Sequence, residues 1–229
     1  MSSNQHLAGL YPFLAGARQN ADRLDAALVR SIAAKAQDGR DASERFFAEA
    51  GPSLLAAAKA IAHSYESGGR LFTMGNGGSS CDAAHIAVEF LHPVTTGRPA
   101  LAAINLTGDV AMLSAIGNDL GFEHVFARQL VAHGRAGDAV IGVSTSGNSA
   151  NLLAGFAKAK EIGIATIALT GGDGGRMRHS PAIDHCLVVP STSIHRIQEC
   201  HVAAYHILWD LVHTLLADRR GSGAVSAAE

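Results

Sequence analysis

RLFTMGNGGSS (residues 70–80) and AVIGVSTSGNS (residues 139–149) share one plan. Each opens on a short, nearly continuous apolar run, passes through a Gly/Ser/Asn turn and leads into a stretch with helical spacing. Apolar runs bounded by turn residues are how strands buried on both faces read. The runs are Leu71–Met74, Leu101–Leu106, Ala139–Val143, Ile164–Leu169 and Cys186–Val189. Helical stretches around Cys81–Leu91, Glu123–His133 and Ala150–Ile162 lie between them. Strand and helix in alternation predict an α/β domain built on a parallel sheet.

Working outward, the first 68 residues show no strand pattern. Leu24, Leu28 and Ile32 recur at helical spacing, as do Leu54, Ala58 and Ile61. Pro12 and Pro52 stand where helices begin, and Ser67-Gly68-Gly69 is a stop signal. We therefore expect a helical segment over 1–68 with an apolar stripe, suited equally to covering the sheet or to contacts between copies of the chain. The α/β domain is expected over 69–217, followed by a frayed tail over 218–229.

Composition narrows the function classes. Of 229 residues, 48% are hydrophobic and 17% charged, enough for a large core, with a formal net charge of −2. That balance argues against a strongly basic nucleic-acid binder. No basic leader precedes an apolar run, and no apolar run reaches the ~18 residues of a membrane span. Cys81, Cys186 and Cys200 are too far apart for a CxxC signature. A cytoplasmic protein with no membrane or nucleic-acid partner is the expectation.

The turns after the first and third strands, Gly75–Ser80 and Ser144–Ser149, each precede a helix. A helix N-terminus offers unpaired N–H groups and a partial positive charge, glycine admits an anion close to the backbone, and serine adds neutral donors. Neither turn fits a common nucleotide motif. Ser80 stands where GxGxxG ends in glycine, Thr95 and Thr96 occupy the region of the ribose-binding acid, and the lysine of a P-loop is missing. Two uncharged cradles at one end of a parallel sheet suit a sugar monophosphate better than a nucleoside triphosphate with its magnesium and lysine. The glycine run Gly171–Gly175 is weaker evidence, since such runs often only close a corner.

Two helices carry polar side chains of interest. His85 and Glu89 are four apart and share a helix face, the spacing of a zinc-chelating or proton-transfer pair and equally of an ordinary solvated contact. The last helix, from about Ile194 to Leu216, carries Gln198, Glu199, His201, His206 and His213. His206 lies in the apolar run AAYHILW, where a histidine needs a partner, and a core histidine bonded to a carbonyl is one account of it. Gln198 and His206 are eight apart, ~12 Å along a helix. They share one metal only if both lean inward or if one comes from another subunit.

GNGGSSCDAAH (75–85), IGNDLGF (116–122), STSGNSAN (144–151), LTGGDGG (169–175) and RIQECH (196–201) occur in this order. The set resembles the SIS (sugar isomerase) domain family, most of all its phosphoheptose isomerases, over residues 50 to 217. The resemblance implies a five-stranded parallel sheet flanked by helices, flavodoxin-like in layout, assembled as a homotetramer with active sites between subunits. It implies an aldose–ketose isomerase acting on sedoheptulose 7-phosphate. Carried over by motif, Ser79, Ser144, Ser146 and Ser149 hold the phosphate, with Thr145 and Asn148 in the same loop, while Asn76 and Asp109 line the sugar pocket. His85, Glu89, Gln198 and His206 are the implied zinc ligands, Gln198 also facing substrate, and Glu89 and His206 are the implied acid–base pair.

Two positions depart from the family pattern. Pro93 stands where an arginine is usual, with Arg98 a nearby substitute, and His195 stands where an aspartate is usual. The alternative is a non-catalytic SIS module, a sugar-phosphate sensor or a regulator of replication initiation. The related regulator lacks the glutamate and the helical histidine that this chain keeps as Glu89 and His206.

Overall fold

The computed structural model describes residues 21–226, and their side chains from 24 to 217. Packing divides the chain into Met1–Arg40 and Asp41–Glu229. The described part of the first unit is helical, with Leu24, Leu28, Val29 and Ile32 exposed. Pro12 lies outside the described residues.

The second unit is built on a five-stranded, wholly parallel sheet. Its strands are β1 (Leu71–Gly75), β2 (Ala103–Asn105), β3 (Ala139–Ser144), β4 (Ala165–Gly171) and β5 (His185–Val189), in spatial order β2-β1-β3-β4-β5. The helices are α1 (Ala21–Glu66), α2 (Gly78–Leu91), α3 (Val110–Asp119), α4 (Val125–His133), α5 (Ala150–Ile162), the single turn α6 (Gly175–Arg178) and α7 (Ile194–Ser226). All five expected strands form. They do so within one or two residues of the apolar runs, except that β2 is trimmed to three residues.

Side chains alternate across each strand, so the sheet feeds two cores. Leu71, Ile141, Ile167, Leu169 and Leu187 face a layer that includes Phe46, Leu54, Ile61, Ile86, Phe90, Tyr205 and Leu208 from α1, α2 and α7. Phe72, Met74, Val140 and Ala168 face Ile116, Val125, Phe126, Leu130, Leu152 and Phe156 from α3, α4 and α5. Burying a side chain of this size contributes ~1.5–3 kcal/mol. Because both faces are covered, strand polarity does not alternate, which is why the runs were legible.

Three expectations need correction. α1 is one helix running through Pro52, not two helices meeting there. Proline frees the carbonyl four residues back, at Ala48, and both residues are exposed, so water can serve that oxygen. The last helix continues to Ser226, through most of the stretch expected as a tail. No proline interrupts it, and extending an existing helix is far easier than nucleating one. A helix over Val110–Asp119 was not expected, because Gly117 and a short apolar pattern hide it.

α7 is tied to the sheet by a buried histidine. His201 is fully buried, and its Nε2 lies 2.9 Å from the carbonyl oxygen of Thr170 in β4. Burial lowers its pKa from the ordinary 6.5 to about 4, opposed by that hydrogen bond. The unfolded chain therefore holds the extra proton between pH 6.5 and 4. The stabilisation is complete above 6.5 and is lost as pH falls toward 4. We expect the stability lost between pH 7.5 and 4.5 in urea titrations to be about 2–3 kcal/mol smaller in His201→Gln than in the parent. Equal losses would refute it.

Candidate active site

The strand order reverses between β1 and β3, which places the turns after these two strands side by side at their carboxyl ends, the usual crevice of an open parallel sheet. A reciprocal amide pair ties them. Asn76 Nδ2 donates to Asn151 Oδ1 and Asn151 Nδ2 to Asn76 Oδ1, each at 2.8 Å. Ser144 and Ser149 hydroxyls are 3.0 Å apart, and Ser149 caps α5 by position without a side-chain hydrogen bond to the helix. The first turn of α5 thus aims its N–H groups and the positive end of its dipole into a crevice walled by hydroxyls.

The turn after β3 is braced by the glycine run after β4. Gly147 has φ +63°, and a Cβ there would stand 2.0 Å from the carbonyl oxygen of Gly174. Asn148 Oδ1 accepts from the backbone N–H of Arg176 at 3.0 Å, and its Nδ2 donates to the Ser146 carbonyl at 2.8 Å. Thr145, Ser146, Gly172, Asp173, Ser191 and Thr192 line a cavity of about 330 Å³ beside it. The glycine run, weak as a motif, acts as the buttress of the serine loop. Ser191 and Thr192 carried no pattern that could have marked them.

The second polar region lies along the pair α2 and α7. These helices run in the same direction at a constant offset. Gln198 packs on Gly78, where its Nε2 sits 2.5 Å from the position a Cβ would take. Tyr205 Oη is 2.7 Å from His85 Nδ1, and Trp209 Nε1 donates to the Glu89 carbonyl at 2.8 Å. His85 Nε2 in turn lies 3.1 Å from Glu89 Oε1. The His85 and His206 rings meet edge to face at 5.1 Å. One ligand atom from each of His85, Glu89 and His206 lies within 4.8 Å of the others. Asp82, one turn before His85, is buried with Oδ2 unbonded, and burial raises its pKa against the pull of His85. Burial and then the carboxylates of Asp82 and Glu89 push the Tyr205 phenol up to about 12, so its O–H keeps the proton near neutrality.

A protein-family model for the SIS domain matches residues 36–171, more than half of the chain. The chain belongs to the SIS domain family. Among SIS relatives it is 46% identical over 181 residues to a phosphoheptose isomerase of Desulfovibrio desulfuricans, covering 79% of this chain and 85% of that protein. It is 43% identical over 176 residues to one of Roseiflexus sp., covering 77% and 88%. Among solved structures, a phosphoheptose isomerase from Francisella tularensis superposes with a TM-score of 0.77 at 35% identity, over 81% of this chain and 98% of that one. One from Neisseria gonorrhoeae gives 0.76 at 37% identity, over 82% and 99%.

Within this SIS fold the expected site residues separate into two groups. Asn76, Ser79, Ser144, Thr145, Ser146, Asn148 and Ser149 gather at the carboxyl ends of β1 and β3. Asp109, exposed after β2, caps α3 by accepting from Met112 N at 2.9 Å. His85, Glu89 and His206 form the cluster, while Gln198 stands at the crevice end of α2. The seven residues from Gly78 to His85 span ~10 Å of helix, so Gln198 and the cluster lie well apart within one chain. His206 is exposed, and the core histidine bonded to a carbonyl is His201 instead. Arg98 stacks 4.3 Å over Trp209 and bonds Asp210 at 2.5 Å, which ties it to α7. Asp82, Tyr205 and Trp209 were missed. Asp82 had a signal in its spacing from His85, but the two aromatics had none.

Gly147→Ala must place a side chain against the Gly174 carbonyl in a left-handed conformation, costing at least ~1–2 kcal/mol. The displaced loop should weaken sugar-phosphate binding about tenfold or more by calorimetry, and unchanged affinity would remove this loop from the anchor.

Proposed function

We propose that the protein is an aldose–ketose isomerase that interconverts sedoheptulose 7-phosphate and D-glycero-D-manno-heptose 7-phosphate. The observation that carries the reading is the meeting of His85, Glu89 and His206 on one solvent-open face. The family of phosphoheptose isomerases at 43–46% identity supports the substrate, and the same relatives give the non-catalytic alternative no support.

In this reading the serine turn and the N-terminus of α5 hold the phosphate, with Ser79, Asn76, Asp109 and Gln198 along the sugar. Anchoring one end of a flexible chain in register lowers the entropy cost of presenting the other. Glu89 removes the proton at C1 of the ketose and returns it at C2, and His206 moves the hydroxyl proton between the two oxygens of the enediol. The Trp209 N–H on the Glu89 carbonyl and the Tyr205 O–H on His85 hold the cluster in place.

Two imidazoles and a carboxylate are a donor set that zinc accepts. Ligand atoms ~2.1 Å from one centre are at most about 4.2 Å apart, so a small side-chain rotation from 4.8 Å closes the set. Bound there, zinc would polarise the substrate carbonyl. Gln198 completes such a set only from another subunit. That requirement, the openness of the cluster and the exposed Leu24, Leu28 and Ile32 support a homotetramer with shared sites. A cytoplasmic setting is supported by the charged substrate and by three unpaired cysteines. No helix among the described residues is long and apolar enough to cross a membrane.

Incubated with sedoheptulose 7-phosphate in deuterated water, with and without zinc, the protein should yield product labelled at C2. Glu89→Gln should lower turnover by roughly 10²–10⁴ while substrate binding survives. Near-normal turnover in that variant would refute the acid–base assignment, and absence of product from the parent would refute the reaction. Light scattering at micromolar concentration should give the mass of a tetramer, and a stable monomer would exclude sites shared between subunits.

A further inference from the structure

His85 makes two polar contacts, and they determine which of its nitrogens faces the cluster. Nε2 points to Glu89 at 3.1 Å, and Nδ1 points away, to the hydroxyl of Tyr205 at 2.7 Å. Tyr205 is 2% exposed and packs edge to face on both His85 and His206, with ring centroids 5.3 Å and 4.8 Å away. Its ring therefore packs against both histidines, which also touch each other, and its hydroxyl is held in the interior by α7 rather than by solvent.

We propose that Tyr205 is a positioning residue for His85, holding Nδ1 so that Nε2 is presented to Glu89 and His206. This rests on the reading of these three side chains as the reacting cluster. The direction of each hydrogen bond follows the tautomer of His85. Where Nε2 donates to Glu89, Nδ1 accepts from the Tyr205 O–H. When Nε2 serves as a ligand, the ring carries its proton on Nδ1 and the same phenol oxygen accepts it. A hydroxyl serves both states because it donates and accepts. Phenylalanine keeps the ring packing and serves neither.

The contact is also specific to the offset between α2 and α7. Tyr205 reaches His85 because it immediately precedes His206, so one residue of α7 supplies the partner and the next supplies a member of the cluster. The same helix therefore sets both the position of His206 and the orientation of His85.

The test is Tyr205→Phe in the full-length protein. We expect zinc affinity, measured by competition with a chromophoric chelator, to fall about tenfold or more, the range found when an outer partner of a metal-bound histidine is removed. Turnover should fall while KM for the sugar phosphate stays within about twofold, because the phosphate anchor is at the other end of α2. Melting temperature reports whether the variant is folded. Wild-type zinc affinity together with wild-type turnover in Tyr205→Phe would overturn the proposal. Ring-nitrogen NMR of metal-free protein judges it independently of the functional reading. The His85 Nδ1 signal should shift when the hydroxyl is removed, and an unmoved signal overturns the proposal even if the parent neither binds zinc nor isomerises. Inactivity and absent zinc binding in the parent, with the Nδ1 signal shifting in the variant, would remove the functional reading and leave the contact standing.

Discussion

The parallel pairing of α2 with α7 at a constant offset is the contact that gathers His85, Glu89 and His206. Gln198 lies on Gly78, Tyr205 on His85 and Trp209 on the carbonyl of Glu89, so each step along one helix is matched by an equal step along the other. Two helices locked in this way present their side chains as one surface. His206 then comes within reach of His85 and Glu89, although the two stretches are more than a hundred residues apart. Gly78 leaves room for the Gln198 amide, which a side chain there would displace from this place.

The sheet governs the crevice through its strand order. Reversal between β1 and β3 brings two strand-to-helix turns together, and the Asn76–Asn151 amide pair fixes their spacing. Anchor and cluster thus sit at opposite ends of one rigid element, α2. The positive ends of α2 and α5 face the crevice, whose backbone dipoles and hydroxyls suit an anion.

The cluster is open to solvent. His85 keeps 43% of its side-chain surface and Glu89 22%. Charge separation in an enediol mechanism is stabilised best where water is excluded and dipoles are fixed. In the proposed reaction, an open cluster leaves the exclusion of water to a further surface.

The fold was legible because its determinants are local. Five apolar runs, each followed by a turn and helical spacing, can form only strands of a two-sided parallel sheet, and sheets of that kind bury both faces. The serine turns were legible for the same reason, since β3, its turn and the start of α5 are contiguous. His85 and Glu89 were legible as a pair because helical geometry alone puts four-residue neighbours on one face. Helix continuity through Pro52 was not legible, because it depends on whether the freed carbonyl meets water. Nor was the exchange of roles between His201 and His206, since burial of a histidine on an apolar helix depends on which face meets the sheet. Tyr205, Trp209 and the place of Gln198 required the offset between α2 and α7. No local pattern encodes that offset, because it is the outcome of packing both helices onto the same face of the sheet.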